Sequence, residues 1–595
     1  MLSTRSIIII KKHKRLNGVE PFKKNMPDEI KTCQNCKKDF TIEPDDFAFY
    51  EKMKVPAPTF CPDCRFQRRM ARRNERVLTA RQCDGTKDRI ISCYDESVPF
   101  PVYKREFWYS DKWDPLQYAR DYDFSKPFFE QFKELSNVAP RLQLWLVNSV
   151  NSDYSNYVGD SKDCYLCFTA FGNNEQCSYC AYLNTSTNCL DCYLITKCEL
   201  CYECLNCDTC YNVKYSIDAV NCRDSWFLYD CTNCTDCFGC VGLRNKQYHI
   251  FNEQYSKEEY TEKIKEFNLD SRQNIPDLIE KVKAMALKFP RRFMHGRKNE
   301  NVSGDYVNNS NNARDAYFVN NNEDCRWVYF TLKSKSFYDV TVSTLGNELI
   351  YESHAIPKSN YFLKFCDICS NGCRNMEYCS NCDSSSYCFG CIGVRGKEYC
   401  ILNKQYTKEE YEELIPKIIK HMDEMPYVDK NKCTYKYGEF FPADISPFAY
   451  NESMAQECFP LTKETAIEQG YAWKNLKPKN YKATISSYKI PDAIKDVADD
   501  ITSEILQCSH EGNCAHNCTH AFRVIPTELE FYRRLNLPLP KLCPNCRHHR
   551  RLAQRNPLKL WDRTCAKCGK EIKTSYAPGR PEIVCCEACY QQEVS

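Results

Sequence analysis

The stretch CELCYECLNCDTC, residues 198–210, places cysteines at a strict spacing of three, at Cys198, Cys201, Cys204, Cys207 and Cys210. One interpretation is a metal cluster, because thiolates pack well around soft metals and iron–sulfur centres. The other is a packing role, because cysteine behaves as a small hydrophobic residue that can line a narrow interior. We favour the packing role, for a reason that lies in the flanking sequence.

A short phrase recurs on both sides of this stretch, and its second position is occupied by different small residues. The four copies are Asp163-Cys-Tyr-Leu166, Asp191-Cys-Tyr-Leu194, Asp224-Ser-Trp-Phe227 and Asp315-Ala-Tyr-Phe318. An obligatory metal ligand would not exchange with alanine. Short strands of small and aromatic residues, separated by Asn, Asp and Ser turns, are typical of a β-solenoid, in which like residues stack between coils. We predict such a solenoid from about 150 to 240 and from 305 to 391.

The solenoid is predicted to be duplicated. The segment CFGCVGLRNKQYHIFNEQYSKEEY, residues 237–260, recurs at 388–411 as CFGCIGVRGKEYCILNKQYTKEEY. Both copies end in a capping-box pattern, in which a hydroxyl and a carboxylate three residues later satisfy free amides at a helix start. These pairs are Ser256 with Glu259 and Thr407 with Glu410. Each half should therefore close with a helix.

Cysteine is the outlier in a composition that is otherwise ordinary. The 595 residues include 43 cysteines, while the formal net charge is only +3. No apolar run approaches the roughly 18 residues of a membrane span, and the N-terminus lacks the apolar core of a signal peptide. We therefore expect a cytoplasmic protein with reduced thiols and no membrane contact, in which paired CxxC motifs favour zinc over disulfides.

A second duplication relates the two ends of the chain, at an offset of 482 residues. Each copy contains two cysteine knuckles about 25 residues apart, which is a strong four-cysteine zinc signature. The predicted ligands are Cys33, Cys36, Cys61 and Cys64 in the first copy, and Cys514, Cys518, Cys543 and Cys546 in the second. Four neighbouring residues in the second copy could replace one of these ligands: Cys508, His510, His516 and His520.

Both copies resemble the family of probable zinc-ribbon domains, whose pattern is approximately C-x2-C-x3-F, then FY, then P-x2-C-P-x-C-R. The matching residues in the first copy include Cys36, Phe40, Tyr50, Pro58 and Arg65. The resemblance implies zinc binding in a treble-clef or zinc-ribbon fold, and it carries no known activity. Over its whole length the chain resembles uncharacterised cysteine-rich zinc-binding proteins of bacteria.

A further four-cysteine set follows in the second copy and is degenerate in the first. Its predicted ligands are Cys565, Cys568, Cys586 and Cys589, and the matching residues near the N-terminus are Cys83, Thr86, Lys104 and Phe107. Since only one ligand survives there, packing around Phe107, Trp108 and Trp113 should replace the metal. The sequence thus predicts about three zinc ions per chain, one for each complete four-cysteine set.

An arginine stripe follows the second knuckle of each copy at helical spacing. It comprises Arg65, Arg68, Arg69, Arg72, Arg73 and Arg76 in the first copy, and Arg547, Arg550, Arg551 and Arg555 in the second. Guanidinium groups suit phosphate oxygens, so the stripes indicate binding to RNA or ribosomal RNA. Arg72 and Arg76, which lack counterparts, are the better candidates for contact with a partner.

The alternative is a protein-interaction scaffold in which the stripes dock inside the fold or on an acidic protein, since arginine tolerates burial and pairs well with aspartate. Asp111, Asp114, Asp121 and Asp123 are candidate internal partners. No motif for phosphate-loop, dinucleotide, zinc-protease or serine-hydrolase chemistry occurs, so we expect a non-enzymatic protein without a small-molecule substrate.

The sequence predicts an α+β, β-rich multidomain protein, with treble-clef or zinc-ribbon modules flanking a duplicated, irregular cysteine-rich β-solenoid that has closing helices. The expected segments are a basic tail (1–28), an N-terminal zinc module (29–110), an aromatic and acidic linker (111–150), solenoid half 1 (151–290), solenoid half 2 (300–425), a connector (426–505) and a C-terminal zinc module (506–595).

Overall fold

A computed structural model describes residues 27–475 and 482–594. Most of the predicted basic tail and a short part of the predicted connector therefore lie outside the described residues. The chain forms a β-solenoid of about 21 turns with several helices, and cysteine tetrads lie near both ends. This confirms the predicted β-rich α+β fold class.

Successive coils of the solenoid stack in parallel. Most coils are 12 residues long, as the register between neighbouring coils shows. Equivalent side chains meet across this step, as where Asn212 Nδ2 donates to Asp224 Oδ1, which lies 12 residues further along the chain. Some coils are one residue longer, as where Asn360 N–H donates to Asn347 Oδ1, which lies 13 residues earlier. These extra residues explain why the repeat appears irregular in the sequence.

A left-handed backbone conformation at every third residue bends the chain into each coil. From Gln176 to Asn212 these residues have φ between 51° and 59°. Left-handed residues other than glycine cost about 1–2 kcal/mol each, so the conformation needs compensation. Hydrogen bonds to both neighbouring coils provide it: Asp191 N–H donates to Ser178 O at 3.0 Å, and Leu190 N–H donates to Cys201 O at 3.0 Å.

The residue that follows each left-handed position is buried in the coil interior, which explains the cysteine spacing of three. Cys198, Cys201, Cys204, Cys207 and Cys210 all belong to one buried cluster. Each thiol lies near two backbone carbonyls, as with Cys204 Sγ, which donates to Tyr202 O at 3.5 Å and to Val213 O at 3.3 Å. None of these thiols belongs to a metal-capable group among the described residues. The geometry therefore favours the packing role.

The solenoid strands are short and pair mainly in parallel. In the first half they are Leu146–Val147, Asn156–Gly159, Ser161–Lys162, Phe168–Phe171, Asn174–Glu175, Ala181–Asn184, Tyr193–Thr196, Tyr211–Lys214, Arg223–Trp226, Thr235–Phe238, Gln247–Ile250 and Glu253–Gln254. In the second half they are Gly296–Arg297, Gly304–Asn308, Asn311–Asn320, Glu323–Leu332, Lys335–Ser343, Glu348–Ile356, Tyr361–Lys364, Arg374–Glu377, Ser386–Phe389, Glu398–Ile401 and Lys404–Gln405.

The helices belong mainly to the terminal modules, the closing elements and the connector. They are α1 (Pro44–Met53), α2 (Pro62–Ala71), α3 (Arg105–Trp108), α4 (Phe128–Ser136), α5 (Lys257–Glu266), α6 (Asn274–Ala286), α7 (Lys408–Glu424), α8 (Met454–Cys458), α9 (Lys463–Glu468), α10 (Pro526–Arg534), α11 (Pro544–Leu552) and α12 (Glu587–Val594). Both predicted capping boxes are present, at the starts of α5 and α7. An antiparallel strand precedes each of these two closing helices.

Small strand pairs complete the modules and the connector. They are Glu29–Thr32 with Asp39–Ile42, Thr79–Gln82 with Arg89–Ser92, Val102–Tyr103 with Arg141–Leu142, Arg291–Arg292 with Val584–Cys585, Tyr427–Val428 with Thr434–Tyr435, Leu506–Gln507 with Ala521–Phe522, and Trp561–Thr564 with Glu571–Thr574. Each terminal module thus combines a hairpin with two helices, and α2 and α11 carry the arginine stripes.

The two solenoid halves lie side by side and run in opposite directions. An early coil of the second half contacts a late coil of the first, where Tyr306 Oη donates to Asp218 at 2.7 Å. A later coil contacts an earlier one, since Ala355 and Ile368 pack on Tyr157. Duplicated halves in this arrangement form an approximate two-fold repeat.

Candidate metal centres and arginine helices

The N-terminal knuckles bring four thiols together, as predicted. We call Cys33, Cys36, Cys61 and Cys64 the Cys33 tetrad; their sulfur atoms all lie within 4.8 Å of one another. Cys33 follows the first hairpin strand, Cys61 is the N-cap of α2, and Cys64 lies in its first turn. Hydrogen bonds from the Cys61 and Cys64 thiols hold the pKa of Cys33 well below its ordinary value.

The sulfur spacing fits a tetrahedral metal better than a disulfide. Cys36 Sγ lies 3.6 Å from Cys61 Sγ. Zinc–sulfur bonds of about 2.3 Å in tetrahedral geometry place neighbouring sulfurs roughly 3.8 Å apart, whereas a disulfide requires about 2.05 Å. Because four thiolates fill a tetrahedral shell, the tetrad has the chemistry of a closed structural site.

The last module contains a second complete set, the Cys565 tetrad of Cys565, Cys568, Cys586 and Cys589, again with sulfurs within 4.8 Å. Cys568 Sγ lies 3.7 Å from Cys586 Sγ. Burial opposes ionisation of Cys565, but the Cys568 and Cys586 amides lower its pKa to about 6. These four predicted ligands are therefore assembled.

The first C-terminal set differs from the prediction in one ligand. The structure groups Cys508, Cys518, Cys543 and Cys546, which we call the Cys508 tetrad, and Cys514 lies outside it. In this tetrad Cys543 N–H donates to Cys508 Sγ at 3.3 Å, and in the first module Cys61 N–H donates to Cys33 Sγ at 3.2 Å. Cys508 is thus the counterpart of Cys33 and takes the place predicted for Cys514 in this group, which is one of the replacements that the sequence allowed.

A sequence signal for Cys508 was present but masked by an insertion. The segment EIKTC, residues 29–33, matches EILQC, residues 504–508, at an offset of 475 instead of 482. The seven additional residues lie between the two cysteines of the C-terminal knuckle. They bring His510, Cys514 and His516 beside Cys546, where the four ligand atoms again lie within 4.8 Å of one another.

The degenerate N-terminal site keeps its backbone geometry. Lys104 N–H donates to Cys83 Sγ at 3.3 Å, and the corresponding Cys586 N–H donates to Cys565 Sγ at 3.2 Å. The Phe107 ring approaches Gly85 so closely that a Cβ on this glycine would lie 2.5 Å from it. Aromatic packing by Phe107 thus accompanies the loss of the metal ligands, as the sequence suggested.

The N-terminal arginine stripe is mostly buried and paired within the chain, whereas contact with nucleic acid would need exposed guanidinium groups. Arg65 Nη2 lies 2.8 Å from Asp339 Oδ2, and Arg69 Nη1 lies 3.1 Å from Asp339 Oδ1. Arg68 Nη2 lies 3.0 Å from Glu352 Oε1. Burial alone would lower the pKa of Arg65, but the Asp339 carboxylate holds it well above its ordinary value. The stripe therefore docks internally.

The remaining arginines of this stripe also contact other residues of the chain. They are Arg72, Arg73 and Arg76, which were likewise predicted to contact phosphate. Arg72 Nη2 lies 2.6 Å from Asp367 Oδ2, with its guanidinium 4.3 Å from the ring centre of Phe441. Arg73 Nε lies 2.5 Å from Glu75 Oε1. The Arg76 guanidinium lies 4.6 Å from the ring centre of Phe168. Arg72 and Arg76 therefore meet other parts of this chain.

The C-terminal stripe repeats this docking on the first solenoid half. Arg547 Nη1 lies 2.6 Å from Asp191 Oδ2, and Arg551 Nη1 lies 2.9 Å from Asp191 Oδ1. Arg550 is half exposed but lies 2.5 Å from Glu203. Arg555 Nη1 donates to Tyr193 Oη at 2.8 Å. These four arginines likewise make contacts within the chain.

The acidic partners are not the predicted ones. Several of them come from the solenoid, at Asp339, Glu352, Asp191 and Glu203. Others are Glu75, Glu439 and Glu528, and none comes from the acidic segment around Asp111, Asp114, Asp121 and Asp123. In that segment Asp114 accepts from Leu116 N–H at 3.0 Å, and Asp121 pairs with Lys404. Of the solenoid partners, only Asp191 lies in the phrase that the sequence repeats, at Asp191-Cys-Tyr-Leu194.

Two titratable groups lie beside the docked N-terminal helix. Burial raises the pKa of Glu352 to about 7, although Arg68 opposes this shift. Burial lowers the pKa of His354 to about 3. Both ring nitrogens of His354 are buried without a hydrogen-bond partner among the described residues. Burial without a partner therefore favours the neutral form of His354 in the folded protein.

Comparisons with known proteins leave the family open. No protein-family model and no curated protein matches the chain. Among solved structures, a crystal structure described as that of a "putative acetyltransferase from Desulfovibrio desulfuricans G20" is 8% identical, covers 39% of this chain and 62% of that chain, and has a TM-score of 0.11. That match carries no argument. Within the described ranges, no helix is both long and apolar enough to cross a membrane.

Proposed function

We propose that this chain is a non-enzymatic, zinc-stabilised scaffold whose terminal modules clamp the two halves of the solenoid together. The observation that carries the proposal is the burial of both arginine stripes in carboxylate pairs on the solenoid. Buried pairs of this kind fix orientation, because breaking one leaves an uncompensated charge in the interior. Zinc supplies the structural cross-links that hold the knuckles and the start of each arginine helix in place.

The clamp has a crossed arrangement that supports this role. The N-terminal helix α2 pairs with the second half through Asp339, and the C-terminal helix α11 pairs with the first half through Asp191. Aromatic contacts join the halves directly, including Tyr182 with Phe330 at 4.7 Å between ring centres. The outer coil surface remains available to a protein partner.

Binding to RNA or to the ribosome is the competing function, and the arginines do not favour it. Phosphate recognition needs accessible guanidinium groups. Arg65, Arg69 and Arg73 have no exposed surface, and Arg68 is 4% exposed. To bind phosphate they would have to give up their carboxylate partners. Breaking a buried ion pair costs several kcal/mol.

Charge reversal separates the two functions. Arg68→Glu should destabilise the fold and loosen α2, as seen by amide hydrogen exchange, because it places a third carboxylate beside Glu352 and Glu439. Arg374→Glu, at an exposed solenoid strand, is the matched control and should leave the exchange pattern unchanged. Elemental analysis of the native protein should find zinc.

The RNA function predicts the opposite pattern. The Arg68→Glu protein would keep its stability and zinc, and it would lose a salt-dependent affinity for RNA that the native protein shows. A native protein that contains no metal after purification under reducing conditions would exclude the zinc-stabilised scaffold as well.

A further inference from the structure

The seven-residue insertion of the C-terminal knuckle carries more metal-binding groups than the Cys508 tetrad uses. We infer that His510, Cys514, His516 and Cys546 hold a second zinc ion, and that the Cys546 thiolate bridges it to the zinc of the Cys508 tetrad. This inference rests on the proposed zinc-stabilised function and extends it. It raises the expected metal content from three ions to four per chain, since four metal-capable groups are present among the described residues.

The geometry of this second group fits tetrahedral zinc. Its four ligand atoms, two imidazole nitrogens and two sulfurs, all lie within 4.8 Å of one another. Cys514 Sγ lies 3.7 Å from Cys546 Sγ, close to the roughly 3.8 Å edge of a zinc–thiolate tetrahedron. Two cysteines with two histidines form one of the common structural zinc shells.

The two histidines lack any other partner for their buried nitrogens in the parts of the chain that the structure describes. The Nδ1 atoms of His510 and His516 are both buried without a hydrogen bond. An imidazole nitrogen in that state costs free energy unless something binds it. The His516 ring is held in place by stacking on His549, with ring centres 4.8 Å apart and planes at 9°. A metal ion would satisfy both nitrogens.

The N-terminal module shows that the insertion is unnecessary for the first metal. Cys33 and Cys36 complete their tetrad with only two residues between them, whereas nine residues separate Cys508 from Cys518. The longer loop is nonetheless held at its base as the short one is, since Cys508 N–H donates to His520 O at 2.8 Å and Cys33 N–H donates to Lys38 O at 2.9 Å. The additional residues are thus free to supply a second ligand shell.

Cys546 belongs to both groups, so both can be filled only if its sulfur bridges two ions. Its sulfur lies between the two sets, 3.9 Å from Cys508 Sγ and 3.7 Å from Cys514 Sγ. A thiolate carries several lone pairs and can bond to two metal ions. One zinc ion with four thiolates has a formal charge of −2, whereas two zinc ions with the five thiolates of this cluster have −1. The second ion therefore reduces the charge that the partly buried site must hold.

Metal counting on the full-length native protein tests the inference. The native chain should contain four zinc ions. His516→Ala and Cys514→Ser should each contain three and remain folded, since the Cys508 tetrad keeps its ligands. His520→Asn is the matched control, because it changes a histidine of the same loop that lies outside both groups and keeps a residue that tolerates its φ of 62°. This control should contain four.

Cadmium exchange tests the bridge itself. In protein loaded with ¹¹³Cd, two resonances should show mutual scalar coupling through the Cys546 sulfur, and the coupling should disappear in His516→Ala. Three zinc ions in the native chain, with no change in Cys514→Ser, would overturn the second site while leaving the proposed scaffold intact. Four ions without a coupled pair would overturn the bridging role of Cys546. A metal-free native chain would instead refute the proposed function.

Discussion

Asp191 and Asp339 occupy the same position in the two solenoid halves. The strand register gives this correspondence. Phe389 is the residue of the second half that matches Phe238. Leu190 lies four coils before Phe238, and Tyr338 lies four coils before Phe389. Each aspartate follows directly and receives two arginines, Arg547 with Arg551 or Arg65 with Arg69. One coil later Glu203 and Glu352 also correspond. The contact between module and solenoid has therefore been duplicated as a unit.

We expect Asp339→Asn and Asp191→Asn each to lower the free energy of unfolding by about 3–5 kcal/mol, because each leaves two arginines without their shared buried carboxylate. Asparagine tolerates the left-handed backbone of both positions, where φ is 56°. The loss of stability should therefore come from the missing carboxylate charge. Urea denaturation followed by tryptophan fluorescence measures it. Asp160→Asn, at an exposed left-handed position, should change stability by less than about 0.5 kcal/mol. Equal effects at the three positions would contradict the assigned role.

His354 should make the protein sensitive to mild acid. Its folded-state pKa is lowered to about 3 from an ordinary value of 6.5, chiefly by burial. The neutral side chain therefore contributes stability that is complete above pH 6.5 and is lost as the pH falls towards 3, by up to about 1.4 kcal/mol per pH unit. Glu352, whose pKa is raised to about 7 by burial, contributes the opposite slope between about pH 7 and 4.5. Urea denaturation at a series of pH values must therefore compare the native protein with a His354 variant.

The first half supplies the substitution that tests this slope, because Leu205 occupies the position of His354. His354→Leu should reduce the loss of stability between pH 6.5 and pH 5 relative to the native protein. Metal release in acid affects both proteins, so the difference between their two curves isolates the histidine. Parallel curves would show that His354 is protonated or accessible in the fold.

The cysteine column should tolerate serine without loss of metal. Cys204 and Ser216 stack in successive coils, and Ser216 Oγ both donates to Lys214 O and accepts from Leu228 N–H at 2.9 Å. We expect Cys204→Ser to cost about 1 kcal/mol at most, since the same hydrogen bonds can form. Elemental analysis should give the native zinc content. Loss of a metal ion would restore the cluster interpretation of residues 198–210.

The degenerate N-terminal site should accept a metal once its ligands are restored. The variant Thr86→Cys, Lys104→Cys and Phe107→Cys adds three thiols beside Cys83, whose backbone contacts already match those of Cys565. We expect one additional zinc ion per chain by elemental analysis. Phe107→Ala alone serves as the control, because it opens the same space without ligands and should bind none. An unchanged count in the triple variant would show that the backbone match is insufficient.

The solenoid, the closing helices and most members of the cysteine groups that could hold a metal could be predicted because each depends on local spacing. The period of three in residues 198–210 reflects the three-residue sides of a coil, and the capping boxes at Ser256 and Thr407 act within one helical turn. Cys508 was predicted only as a possible replacement for one of the four ligands, because a seven-residue insertion shifts the register of the repeat. Docking of the arginines inside the fold remained an alternative in the sequence analysis. Arg65 and Asp339 are 274 residues apart, and helical spacing does not show which residues a charged helix face contacts.

The crossed docking also imposes an order on synthesis and assembly. Arg65 emerges from the ribosome 274 residues before Asp339, and Asp191 emerges 356 residues before Arg547. At roughly 5–20 residues per second, each set of charges waits tens of seconds for its counterpart. During that interval the nascent N-terminal module exposes an unpaired cationic helix, and the half-built solenoid exposes an unpaired anionic face. In the nascent chain these arginines are thus open to phosphate or to a chaperone before their carboxylate partners are made.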